Sequence, residues 1–157
     1  MNSQNSQNTI PMTSKGLENL KQEYDQLLNK KRPHLVERLV SARAAGDLSE
    51  NNDYATAIQE LEFIDGKIAE LTQVLQNVVL IKKKSKSTVN LGTKVTLQTN
   101  GQKHVFNIVG EWEADPKNKK ISHESPLGKA LLGKKVGDKV EVEAPVGKIV
   151  YKILDIA

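Results

Sequence analysis

The sequence predicts an α+β protein in which an N-terminal antiparallel coiled-coil hairpin precedes a small antiparallel β-sheet domain with one helix. Three observations carry this expectation. A heptad seam runs through the first half, a period of two replaces it in the second, and the charge changes sign between them.

The seam is clearest in Tyr54, Ala57, Leu61, Ile64, Ile68, Leu71, Leu75 and Val78. Their spacing alternates three and four without a break, and Glu60, Glu62, Asp65, Lys67 and Glu70 stay off the apolar line. Upstream, Leu17, Leu20, Tyr24 and Leu27 repeat the spacing, followed by Leu35, Leu39 and Ala42. Pro33 falls between these stretches and predicts a kink or a restart, because proline has no N–H to give the preceding turn. Thr13 and Ser14 are the candidate N-caps of the first helix. Two amphipathic helices joined by a short link bury both seams only by packing antiparallel. About 30 residues at ~1.5 Å each make an arm of about 45 Å, longer than a domain of this size needs for its own core.

The second half alternates instead. Val95 and Leu97 lead to a turn at Thr99-Asn100-Gly101 and then to Val105–Val109. Val140 and Val142 precede Ala144-Pro145-Val146-Gly147, with Ile149, Tyr151 and Ile153 beyond. Between these hairpins Pro126 to Leu132 reads as a short helix, with Ser125 as N-cap and Pro126 in the first turn.

Charge separates the halves. Residues 1–80 hold eight Lys and Arg against eleven Asp and Glu; residues 81–157 hold fifteen against eight. The net +4 is therefore the sum of an acidic half and a basic half. The expected organisation is a disordered polar tail over 1–8, the hairpin over 9–81, a basic linker over 82–88 and the sheet domain over 89–157. Lys82-Lys83-Lys84-Ser85-Lys86 could attract RNA or DNA electrostatically, but no aromatic residue is interleaved for base stacking. Aromatics are only 4%, so the cores must be built from Leu, Ile and Val. With no cysteine, disulfides and thiolate-held zinc are excluded, which fits the expected cytoplasmic location. No apolar run approaches the ~18 residues of a membrane span.

The link Ala45-Gly46-Asp47-Leu48-Ser49-Glu50-Asn51 has two readings. Gly46 suits the position after a helix C-cap, and Asp47 with Glu50 three residues later has the spacing of a capping box. The same carboxylates, with Asp53 one turn on, have the chemistry to hold Mg²⁺ or orient a water. Two carboxylates on an exposed tip make no closed metal site, so a partner would have to complete it. Elsewhere, Gly128–Lys135 nearly spells a phosphate-binding loop but has Lys135 where Ser or Thr would hold Mg²⁺. His34, His104 and His123 are scattered, without a zinc-binding pair.

Arg43-Ala-Ala-Gly-Asp-Leu-Ser-Glu-Asn-Asn-Asp-Tyr54 resembles the hairpin-tip motif of the bacterial GreA-type transcript-cleavage factors. Ser125-Pro-Leu-Gly-Lys-Ala-Leu-Leu-Gly-Lys-Lys-Val-Gly-Asp138 resembles that family's C-terminal signature, and Ile10-Pro-Met-Thr13 its start. The resemblance implies a second domain folded like the FK506-binding prolyl isomerases, without their activity. It implies docking at the secondary channel of bacterial RNA polymerase through Glu124, Ser125 and Pro126 of that domain. The hairpin tip would then stimulate the polymerase's own endonucleolytic cleavage of a backtracked RNA 3′ end. Asp47 and Glu50 would be the catalytic carboxylates, sharing Mg²⁺ with the polymerase active site, while the isolated protein binds no cofactor. Arg43, Asn51, Asp53 and Tyr54 would shape the tip or contact RNA, and the factor would act as a monomer. Ile58 departs from the family, many of whose members carry a basic residue there. The alternative is a non-catalytic channel-binding regulator that blocks or retunes the active site. A coiled-coil adaptor explains neither the tip nor the C-terminal signature, and a free-standing nuclease lacks a complete metal site.

Overall fold

The computed structural model describes residues 8–46, 52–82 and 86–157. The chain forms two units by internal contact, one built on 17–78 and the other on 9–16 with 79–157.

The first unit is a pair of antiparallel helical rods. One rod consists of α1 (Ser14–Gln26), a single π turn (Leu27–Lys31) and α2 (Arg32–Ala44); the other is α3 (Asn52–Asn77). Their direction is fixed by cross-pairs: Arg32 meets Asp65, while Arg38, further along α2, meets Glu60 and Asp53, further back on α3. On α3 the buried side chains Ala57, Ile64 and Leu71 recur every seventh residue, joined by Val74; Leu61, Ile68 and Leu75 are half-buried. The seam is therefore real, with one heptad position deeper than the other.

On the first rod the buried residues are Leu20, Leu27, Leu35 and Ala42. Their steps are seven, eight and seven, so one residue must be absorbed between Leu27 and Leu35 if both ends are to face the partner helix. The π turn absorbs it: the Arg32 N–H donates to the Leu27 carbonyl, five residues back. Pro33 follows that turn directly. The expected interruption at Pro33 is thus a single π turn just upstream of it, with the backbone helical through Lys31 and Arg32. At the other end α2 stops on Ala45, and Gly46 follows with φ of 139°, a conformation glycine adopts without strain.

The second unit is a five-stranded sheet in the order β5-β4-β3-β7-β6. Its strands are β3 (Lys94–Thr99), β4 (Gln102–Val109), β5 (Lys120–Ser122), β6 (Lys139–Ala144) and β7 (Gly147–Ile156). Neighbours pair antiparallel except β4 and β5, which are parallel. The β3–β4 hairpin turns on Asn100-Gly101, both with positive φ, and Thr99 pairs with Gln102. β6 and β7 are joined through Pro145-Val146, with Ala144 opposite Gly147. The helix α4 (Pro126–Leu131) places Leu131 in a core of Val89, Val95, Leu97, Ile108, Val140, Ile153 and Ile156. As the composition requires, that buried core contains no aromatic side chain, although Phe106 and Tyr151 pack at its edge.

A separate pair of strands, β1 (Ile10–Met12) and β2 (Val78–Leu80), was not anticipated. Val78, assigned to the end of the seam, leaves the helix after Asn77, where the β-branched pair Val78-Val79 favours an extended chain. Thr13 then caps α1, its hydroxyl accepting the Gly16 N–H at 3.1 Å. The cap is itself anchored. Glu113, in a 3₁₀ turn after β4, accepts the Thr13 hydroxyl and the Thr13 N–H, the latter at 3.0 Å. The Gly110 N–H donates to the same carboxylate at 3.3 Å.

Candidate functional site

The residues singled out from the sequence fall in two places. The first is the linked end of α2 and α3. Asp47, Glu50 and Asn51 lie outside the described residues, so the flanking turns carry what the structure says of this end. Arg43 sits exposed in the last turn of α2, where a cation favours the negative end of the helix dipole. Among the described residues it has no ion-pair partner. Asp53 occupies the first turn of α3, the complementary position for an anion. Tyr54 beside it is half-buried, as is Ile58 one turn further on.

Asp53 is engaged from across the hairpin. Arg38 Nη2 reaches its Oδ1 at 2.6 Å and Nε reaches the same oxygen at 3.0 Å. The remaining arm of the guanidinium, Nη1, donates to Glu60 at 2.9 Å. Hydrogen bonds to Asp53 and then Glu60 push the Arg38 pKa above its ordinary value, so its charge is fixed. One planar donor fork thus holds two carboxylates a little under two helical turns apart on α3. Arg38 was not among the expected site residues. The signal that could have found it was the antiparallel register of the two seams, which sets α2 cations opposite α3 acids.

The second place is the loop before α4. Ser125 is the N-cap of that helix: its Oγ accepts the Gly128 N–H at 3.0 Å and donates to the Ser122 carbonyl at 2.6 Å. Pro126 follows in the first turn, exposed. Glu124 projects beside them, 3.1 Å from His123 Nε2 and 3.5 Å from Lys129 Nζ. Gly128 is buried against the Ser122 carbonyl, where any Cβ would collide. In the stretch that nearly spells a phosphate loop, Gly128 is therefore part of a helix turn packed against that carbonyl. His104 stacks on Phe106, and His123 Nε2 lies beside Glu124. No group of three or more His, Cys, Asp or Glu side chains that could hold a metal occurs among the described residues.

Residues 10–80 match the family described as "Transcription elongation factor, N-terminal", and residues 84–157 match "Transcription elongation factor, GreA/GreB, C-term". The chain is 45% identical over 151 residues to the transcription elongation factor GreA of Caldanaerobacter subterraneus subsp. tengcongensis, covering 94% of this chain and 96% of that one. It is 46% identical over 151 residues to the GreA of Thermoanaerobacter pseudethanolicus, with the same coverage. It also aligns with a crystal structure of GreA factor homolog 1 of Thermus thermophilus at 27% identity. That alignment covers 95% of this chain and 99% of the other at a TM-score of 0.45, too loose a superposition to transfer geometry.

Proposed function

Because the chain belongs to the GreA/GreB family of transcription elongation factors, we propose that it docks at the secondary channel of bacterial RNA polymerase and presents its hairpin tip to a backtracked RNA. There it stimulates the polymerase's own cleavage of the transcript, which leaves a new 3′ end in register. The observation that carries this reading is the braced hairpin. Two helices with a continuous buried seam converge on a seven-residue link that holds Asp47 and Glu50, and Arg38 ties the flanking turn of α3 back to α2.

The residues divide the work by their chemistry. Glu50 orients the attacking water and takes its proton. Arg43, unpaired among the described residues, is placed to meet an RNA phosphate. Asp53 is already committed to Arg38, which suits it to holding the tip's shape, with Asn51 and Tyr54 beside it. Asp47, with Glu50, would contribute to holding Mg²⁺ only alongside ligands from the polymerase. The bound ion would supply charge neutralisation and a more acidic water. Ser125 and Pro126 form a rigid cap from which Glu124 is presented to the polymerase. On this reading the factor is no nuclease, and acts as a monomer.

The test is RNA length in stalled, backtracked elongation complexes. With the protein and Mg²⁺ the 3′ end should shorten by a few nucleotides, and the protein with RNA alone should leave it intact. Binding without shortening would establish the blocking regulator instead, and robust cutting without polymerase would replace both readings with a nuclease.

A further inference from the structure

The shaft of the hairpin carries a feature that neither its own packing nor the tip explains. Phe63 on α3 is 73% exposed, yet it lies off the seam formed by Leu61, Ile64 and Ile68. It borders a groove of about 710 Å³ within this unit, whose floor is Leu35 and Ile64, both buried against the opposite helix. The other rim is Lys30, Lys31 and His34. A phenyl ring left in water contributes nothing to hairpin stability, and a groove of this size accepts one or more side chains of another molecule.

The charges at the groove are uneven. The one acid that lines it, Glu60, is already held by Arg38 at 2.9 Å, and Asp65, next to Ile64 in sequence, is held by Arg32 at 2.6 Å. Lys30 and Lys31 have no ion-pair partner among the described residues. Both belong to the π turn that absorbs the extra residue between Leu27 and Leu35. The π turn thus sets two ammonium groups without ion-pair partners among the described residues beside an apolar floor.

We propose that this groove is a second docking surface, and that its occupant is a segment of RNA polymerase carrying an apolar anchor side chain flanked by Asp or Glu. The anchor would lie on Leu35, Ile64 and Phe63, and the acids would meet Lys30 and Lys31. The proposal rests on the reading of the protein as a polymerase-binding factor. An RNA strand fits less well, because it needs a succession of stacking rings, and the groove offers one ring over aliphatic side chains. A symmetric second copy fits less well again, because a two-fold contact centred on the groove would bring a second set of Lys30 and Lys31 to the same patch.

Full-length protein with Phe63→p-benzoylphenylalanine, added to elongation complexes holding a radiolabelled transcript, tests the proposal. A second preparation carries the same photoreactive group at Lys129, beside the loop that docks the sheet domain. Irradiation at position 63 should attach the protein to a polymerase subunit, within a peptide that has Asp or Glu beside the adduct. Lys30→Glu combined with Lys31→Glu should raise the half-saturating concentration for transcript cleavage about tenfold. Phe63→Ser should raise it likewise, with the cleavage rate at saturation preserved. Labelling of RNA or of a second copy from position 63 would overturn the proposal. Labelling from position 129 alone would overturn it while leaving the polymerase reading intact. Labelling of polymerase from neither position would remove both.

Discussion

Arg38 and Asp53 face each other across the hairpin at 2.6 Å, fifteen residues apart in sequence with the entire link between them. The pair closes the described end of the hairpin, and Glu60 secures the other side of the same guanidinium. An ion pair in water contributes little to global stability, since solvent screens it and both side chains lose rotamer freedom. Its value here is positional: it fixes the first turn of α3 against α2 just where the link begins.

Replacing Arg38 by Met should therefore leave the melting temperature almost unchanged while loosening the α3 start. Amide exchange over residues 52–57 should accelerate severalfold, with residues 64–75 unaffected. Transcript cleavage should fall further than polymerase binding does. Uniform acceleration along α3 would show that Arg38 supports the hairpin as a whole.

Gly16 and Glu113 give a prediction of sign. Alanine is a better helix residue than glycine by about 1 kcal/mol, so Gly16→Ala should stabilise α1 taken by itself. A Cβ at this position, however, would fall on the Glu113 carboxylate, which is held by Thr13 and Gly110 and cannot swing aside without losing those bonds. At about 1 kcal/mol for each bond lost, the net effect should be destabilising by about 1–2 kcal/mol. In a Glu113→Ala background the obstacle is gone, and the same substitution should become stabilising. Thermal melts of the four proteins check the reversal; a stabilising Gly16→Ala in the unaltered chain would show that the anchor gives way at little cost.

That anchor also marks where sequence reasoning ran out. Thr13 was legible as a helix cap, because capping is decided within three residues of chain. Its hold on Glu113 was not, because the two are a hundred residues apart and nothing local about Glu113 distinguishes it from other surface acids. The same division runs through the fold. Ala57, Ile64 and Leu71, the Asn100-Gly101 turn and the Ser125 cap follow from periodicity and turn chemistry. Strand β5 is not legible because Lys120-Ile121-Ser122 is too short to show alternation, and its parallel pairing with β4 is a tertiary matter. The step of eight between Leu27 and Leu35 foreshadows the π turn, which lies upstream of Pro33, the residue whose chemistry predicts a break. At the site, Arg43, Asp53 and Tyr54 lie where the hairpin reading put them. Asp47, Glu50 and Asn51 lie outside the described residues, and their roles stand on the resemblance and on chemistry.

The α4 loop allows structure and contact to be separated. Ser125→Ala removes the cap of α4 and should destabilise the sheet domain by about 1 kcal/mol, weakening polymerase binding through the loop's shape. Ser125→Thr keeps a capping hydroxyl and should restore most of both. Glu124→Gln touches only exposed charge, so its melting temperature should hold while binding falls. If Glu124→Gln binds normally, the contact surface lies elsewhere on this domain.

The sharpest test concerns Asp47 and Glu50, where a cap and a catalyst would use the same atoms. Asn caps a helix about as well as Asp, so Asp47→Asn preserves the structural role while removing the charge that a metal ion requires. Glu50→Gln likewise keeps the geometry of a capping box and removes the basic carboxylate. If the two residues only shape the turn, both variants should fold, bind polymerase and support cleavage at nearly the normal rate. If they act on Mg²⁺ and water, both should fold and bind but lose most cleavage, on the order of a hundredfold or more. The two defects should also differ in kind. Raised Mg²⁺, or Mn²⁺ in its place, should partly rescue Asp47→Asn, because its loss is one of metal affinity and mass action opposes it. Glu50→Gln should respond much less, because no concentration of metal replaces a base that orients the attacking water. Circular dichroism on both proteins guards against a folding artefact. Full cleavage by Asp47→Asn at unchanged helicity would return the tip to a purely structural role.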